Sequence, residues 1–241
     1  MEAYISEYRT KFLPWRGGRY ARQGLELCLG SKKDTQRFAE DGARCLPWGT
    51  EPDEKNRKKI RALRLVPNQR QLPSAELPAF VSKAPKLDFI SMPISVVPKL
   101  KAGALPPSLS SVMLVNSAGC YELVKASKAG WPDFALESLR ALQFIDVAGS
   151  KPVTSLLGIS EEQLPSLRLL EFDLRGSAKK LETVSGFKTL EFLALGHVGD
   201  RDVFEFVCSP LRAQVQVSLP QNSQRGSRGH APYVRHPRRA R

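Results

Sequence analysis

Along the middle of the chain, apolar residues recur at a spacing that is neither helical nor strand-like. Leu136, Leu139, Leu142 and Phe144 lie three, three and two residues apart. So do Leu164, Leu167, Leu170 and Phe172, and again Phe187, Leu190, Leu193 and Leu195. A helix repeats every 3.6 residues and a strand every two. A step of three followed by a step of two fits a chain that turns a corner and enters a short strand. No single copy can bury its leucines alone, so the copies must stack on one another.

The three-then-two pattern extends on both sides of this stretch. It begins at Ile60-Leu63-Leu65 and continues through Leu87-Ile90-Met92, Leu109-Val112-Leu114, Leu139-Leu142-Phe144, Leu167-Leu170-Phe172 and Leu190-Leu193-Leu195. A worn copy closes the series at Leu211, Val215 and Val217. Successive anchors are 27, 22, 30, 28, 23 and 21 residues apart. Each interval holds one strand, one return segment and two turns.

This pattern resembles the leucine-rich repeat, in its irregular form, over about residues 60–219. The resemblance implies an α/β fold: a curved solenoid of short parallel strands with helical return segments. Only Asn68 and Asn116 stand near the asparagine position of the consensus. The turns are therefore expected to rely on glycine or on main-chain bonds, with Gly149, Gly176 and Gly199 near that position. Helical returns are expected over Cys120–Ala129 and Asp202–Cys208, and shorter helical turns over Pro152–Leu157 and Lys179–Val184.

Residues 1–57 do not fit the repeat and read as an α-helical cap. Tyr4, Ile5, Tyr8 and Phe12 mark a helix over Ala3–Leu13 that Pro14 ends. A second is expected over Tyr20–Leu29, closed by Gly30, and a third from Asp34 to Cys45. Phe12-Leu-Pro-Trp15 echoes Cys45-Leu-Pro-Trp48. Both aromatic corners suit a core seal better than a ligand. The run Glu51–Lys59 reads as a charged link or a short solvated helix. The expected organisation is thus a helical cap over 1–57, a solenoid over 58–219 and a basic, disordered tail over 220–241.

Charge sharpens that division. Net charge is +13. Residues 1–70 hold 16 Lys/Arg against nine acids, residues 71–220 hold 15 against 15, and residues 221–241 hold six Arg and no acid. The repeat body is neutral and the ends are basic, which suits a polyanionic neighbour. Candidate phosphate contacts in the tail are Arg225, Arg228, Arg235, Arg238, Arg239 and Arg241.

Several classes lose support. No apolar run approaches the length of a membrane span. Glu2 and Glu7 and the missing apolar core argue against a secretory leader, so an intracellular place is expected, cytoplasm or nucleus ahead of mitochondrion. Cys28, Cys45, Cys120 and Cys208 show no paired spacing and read as reduced thiols. No phosphate-binding glycine loop and no metal-ligand spacing are present. His197, Asp200 and Cys208 have the residue types of a nucleophile system but no predicted pocket, and they read as turn and core. The chain is expected to be no enzyme and to need no cofactor or metal.

Binding is better supported. Residues between the leucines of a strand point to the opposite, concave face. One row there is Ala62, Phe89, Ser111, Ala141, Leu169, Phe192. The next is Arg64, Ser91, Met113, Gln143, Glu171, Ala194, and the third is Val66, Pro93, Val115, Ile145, Asp173, Gly196. Such an apolar strip exceeds what a monomer leaves bare. Either a partner covers it or the N-terminal region folds back over it, unless the register is off by one. Candidate partner contacts are Phe89, Met113, Val115, Gln143, Ile145, Leu169, Glu171 and Phe192. The first expectation is a protein-interaction or scaffold module. The alternative is a component of a ribonucleoprotein complex whose basic ends contact RNA.

Overall fold

The computed structural model describes residues 25–30, 44–47, 49–65, 77–116, 134–146, 159–173, 186–196 and 216–218. They contain β1 (Leu25–Gly30), β2 (Arg44–Pro47), α1 (Glu54–Arg57), β3 (Ile60–Leu65), β4 (Phe89–Pro93), β5 (Ser111–Asn116), β6 (Ala141–Asp146), β7 (Leu169–Asp173), β8 (Phe192–Gly196) and β9 (Gln216–Ser218). A 3-10 helix, Ile94–Lys99, follows β4 directly.

All nine strands form one sheet, in the order β2-β1-β3-β4-β5-β6-β7-β8-β9, and every pairing is parallel. Eight of them run in sequence order and β2 lies outside β1. An all-parallel sheet of short strands in sequence order is consistent with a repeat solenoid.

The three-three-two spacing has a direct structural cause. The first three is a tight turn: the amides of Leu87, Leu109, Leu139 and Leu167 donate to the carbonyls of Ala84, Pro106, Leu136 and Leu164, at 3.1, 3.1, 3.1 and 3.2 Å. A four-residue turn brings its first and last side chains to the same side. The second three rounds the corner into the strand, and the two is strand alternation. The anchors, together with Leu63, Ile90, Val112, Leu142, Leu170 and Leu193, form one buried core. Phe80, Val81, Ala84, Ile94, Val96, Val97, Leu105, Ile159, Leu164 and Phe187 from the links between strands join that same core. The described parts of the links from β3 to β8 therefore pack on the leucine side of the sheet.

Adjacent turns are tied by the main chain. The amides of Ser110 and Ser111 both donate to the Asp88 carbonyl, those of Arg140 and Ala141 to Ser110, those of Arg168 and Leu169 to Arg140, and those of Glu191 and Phe192 to Arg168. Each carbonyl uses both lone pairs. Hydroxyls supply a second ladder. Ser108 Oγ donates to the Leu87 carbonyl (2.8 Å), Ser138 Oγ to Leu109 (3.0 Å) and Thr189 Oγ1 to Leu167 (2.9 Å). Main-chain bonds were expected here, and the hydroxyls were not. Glycine enters at Gly103, whose φ of 77° lies in the turn closed by Ala104 N–H to the Lys101 carbonyl at 3.0 Å. Gly149, Gly176 and Gly199 lie outside the described residues.

Two readings of the sequence need correction. Leu25–Gly30, expected at the end of a helix, is a strand, because Leu25, Leu27 and Leu29 alternate and Leu27 and Leu29 are fully buried. Arg44 and Cys45, expected at the end of the third helix, begin β2. The worn copy is also shifted: Val217 pairs with Leu193 and thus occupies the middle leucine row. The charged run Glu51–Lys59 does hold a one-turn helix, α1. The Asp53 side chain caps it by accepting from the Asn56 amide at 2.7 Å. The rest of the expected helical cap, the four expected helical returns and the tail 220–241 lie outside the described residues.

Candidate functional site

Side-chain alternation places the residues between the leucines on the other face of the sheet. The strand register aligns them in rows. Ala62, Phe89, Ser111, Ala141, Leu169, Phe192 and Gln216 form one row. Cys45, Cys28, Arg64, Ser91, Met113, Gln143, Glu171, Ala194 and Ser218 form the next, across all nine strands. A register slip is thereby excluded over β3 to β8.

This outer face is covered. Phe89, Gln143 and Leu169 are fully buried, Phe192 is 1% exposed and Met113 8%. Ala62, Ser91, Ser111, Ala141 and Ala194 are buried as well. Ala62, Phe89 and Met113 form an apolar cluster separate from the leucine core, with Val115 packed against it. Val115, Glu171 and Arg64 are half-buried. Of the predicted contact residues, Phe89, Met113, Val115, Gln143, Leu169, Glu171 and Phe192 thus share one face. Ile145 pairs with Val115 in the same sheet, while its side chain lies outside the described residues. So do Arg225, Arg228, Arg235, Arg238, Arg239 and Arg241, and likewise His197, Asp200 and Cys208.

The polar content of the face is small and specific. Gln143 Nε2 donates to Glu171 Oε2 on the next strand. Among the described residues, Ser111 Oγ and Gln143 Oε1 are buried without a hydrogen-bond partner. Arg64, Phe89, Glu171 and Phe192 each make a further polar, ionic or ring contact. No protein-family model matches the chain, and no curated protein or solved structure matches it either.

Elsewhere, no group of three His, Cys, Asp or Glu among the described residues could hold a metal ion. No helix among them is long and apolar enough to cross a membrane. Cys28 and Cys45 are backbone register partners on β1 and β2, a pairing that their spacing in sequence conceals. Along the starts of the strands runs a charged edge. There Ser110 Oγ donates to Asp88 Oδ1, and Arg168 pairs with Glu191 at 3.1 Å. These charges largely neutralise one another in solvent and contribute little.

The ladder hydroxyls were the structural residues that sequence reasoning missed. Their signal was present: Ser108, Ser138, Ser166 and Thr189 each stand one residue before an anchor leucine.

Proposed function

We propose that the chain is a leucine-rich, non-enzymatic protein-interaction module that acts as a scaffold through the outer face of its sheet. The observation that carries this reading is the apolar row Phe89, Leu169 and Phe192, with Met113 beside it, on the sheet face that the core does not use. The row is buried in the single chain, so a partner would engage the face at its half-buried residues Val115, Arg64 and Glu171. An amphipathic helix from a protein partner suits such a strip, with Glu171 and Arg64 as flanking charges.

The test selects helical peptides from a displayed library on the full chain and measures the affinity of the best. Val115→Asp and Arg64→Glu, both half-buried positions, should weaken binding at least tenfold and leave the melting temperature within a few degrees. Failure to select any peptide, or binding indifferent to both substitutions, overturns the reading. Phe192→Asp and Leu169→Asp are poor probes, because a charge at a fully buried site unfolds the chain.

A second reading, a component of a ribonucleoprotein complex, draws support from charge. Lys83, Lys86, Lys99 and Lys101 are exposed within residues 77–110, where Asp88 is the one acid. The six arginines of residues 221–241 add to this. Backbone phosphate contact by such groups weakens steeply with salt. A chain ending at residue 219 should lose most retention of a 20-nucleotide RNA in filter binding. Unchanged retention removes this reading.

A further inference from the structure

We propose that the outer face receives a helix carrying an acidic residue, an apolar residue seven positions on and an arginine seven further on, laid across the sheet from β3 to β7. The inference rests on the interaction reading and names the pattern of the partner.

Three half-buried side chains mark the accessible part of the face. Arg64 lies on β3, Val115 on β5 and Glu171 on β7. Arg64 and Glu171 share one register row, with Ser91, Met113 and Gln143 between them. Val115 follows Met113 by two residues, so all three belong to the same side of the sheet. The face thus offers a cation, an apolar side chain and an anion, each two strands from the next.

The spacing selects a helix. Strands about 4.8 Å apart put about 10 Å between successive members. On a helix that step is about seven residues at 1.5 Å each, just under two turns, so three complementary side chains stay on one side. In an extended chain the same step is about three residues, and an odd step turns the middle side chain away. Val115 lies off the line from Arg64 to Glu171 by about 7 Å, within the width of a helix.

Charge fixes which end lies where. Arg64 matches a carboxylate and Glu171 a cation. Bulk charge has the same sense. Among the described residues, those from Leu25 to Asn116 hold 11 Lys/Arg against five acids, and those from Phe134 to Ser218 hold three against seven. The summed field therefore turns a partner of opposite polarity the same way as the two local charges. At the anionic end, Gln143 Nε2 already donates to Glu171 Oε2, and Gln143 Oε1 is buried with no hydrogen-bond partner. A carboxylate offers about four acceptor sites, so it takes donors beyond those it has. An arginine brings a fork of donors to the carboxylate and to the amide oxygen beside it, where a lysine brings a point charge.

The experiment measures fluorescence anisotropy of four labelled 18-residue helical peptides, on one alanine-rich background, against the full-length chain. The first has glutamate, leucine and arginine at its second, ninth and sixteenth positions. The second has glutamine for both charged residues, and the third has arginine at both. The fourth moves the arginine from the sixteenth position to the fourteenth, off the shared side. The first should bind at least tenfold tighter than each of the others, and Arg64→Glu should make the third the tightest. A smaller preference over any of the three, an unchanged order in Arg64→Glu, or no binding overturns the proposal. If Arg64→Glu does not fold, Arg64→Gln serves, and the gap between the first and third peptides must close several-fold. The interaction reading is judged separately, since peptides of another pattern selected on the same face leave it standing while this proposal falls.

Discussion

At the scale of single residues, the two faces of the sheet ask different things of their side chains. On the leucine side, volume decides. Leu142 is fully buried in the centre of the core. Leu142→Ala should cost about 2–5 kcal/mol, read from the urea midpoint, because the fixed strands on either side cannot collapse into the gap. On the outer side, a polar pair decides. Gln143 donates to Glu171, and the amide is fully buried. Gln143→Glu would set two carboxylates against each other, and both cannot be charged at that separation. One must hold a proton in the folded state above the pH at which it would lose it unfolded. Stability of this variant is therefore retained in acid and lost as the pH rises through the carboxylate range. Urea midpoints at pH 4.5 and pH 7.5 should diverge for the variant more than for the natural chain. Equal divergence would mean that the pair is not in contact.

At the scale of the element, the corner leading into a strand is tied to its neighbour by both main chain and side chain. A turn, a shared carbonyl and a hydroxyl recur before several of the strands. Removing the hydroxyls of Ser108, Ser138 and Thr189 together should cost about 3 kcal/mol, at about 1 kcal/mol for each partly buried bond, with near additivity because the sites share no partner. Thermal denaturation of the single and triple alanine variants measures this. A triple variant no less stable than the worst single would mean that the ladder is ornamental. The short α1 has its own signature. The Asn56 amide bonded to Asp53, and the Lys58 ammonium bonded to Glu54, hold both carboxyls below their ordinary range. Groups shifted downward by folding contribute above their unfolded pKa, and the contribution is lost as the pH falls. NMR titration should show both carboxyls protonating later than their exposed counterparts on acidification. In Asp53→Ala, the shift of Glu54 should persist, because Lys58 holds it independently.

At the scale of the molecule, the repeat was readable because it is the one pattern that several strands share. The rows inferred from Ile60 to Leu195 agree with every pairing of the strand register from β3 to β8. What could not be read was the start. Leu25–Gly30 alternates like a strand, but without the turn and anchor of the other copies it carried no repeat signal, and its neighbours pulled it into a helix. The order β2-β1-β3 was equally hidden, since local pattern says nothing about which edge a strand joins. Cys28 and Cys45 become register partners only because of that order. The face opposite the leucines was found, and so was the question of what lies on it. Its burial could not be read from the rows themselves, since an apolar row looks the same in sequence whether it is covered from within or from outside.

The placement of β2 outside β1 also bears on how such a chain changes length over generations. A unit duplicated between β3 and β9 would slide into the run and leave each remaining neighbour with a partner of the same kind. The β2 end offers no such freedom. There the order doubles back, with β2 outside β1, so a copy added between β1 and β3 in sequence would not continue the one-directional run. Gain and loss of units is thus confined to the interior and the β9 end, and the first 65 residues act as the fixed origin from which the sheet is counted.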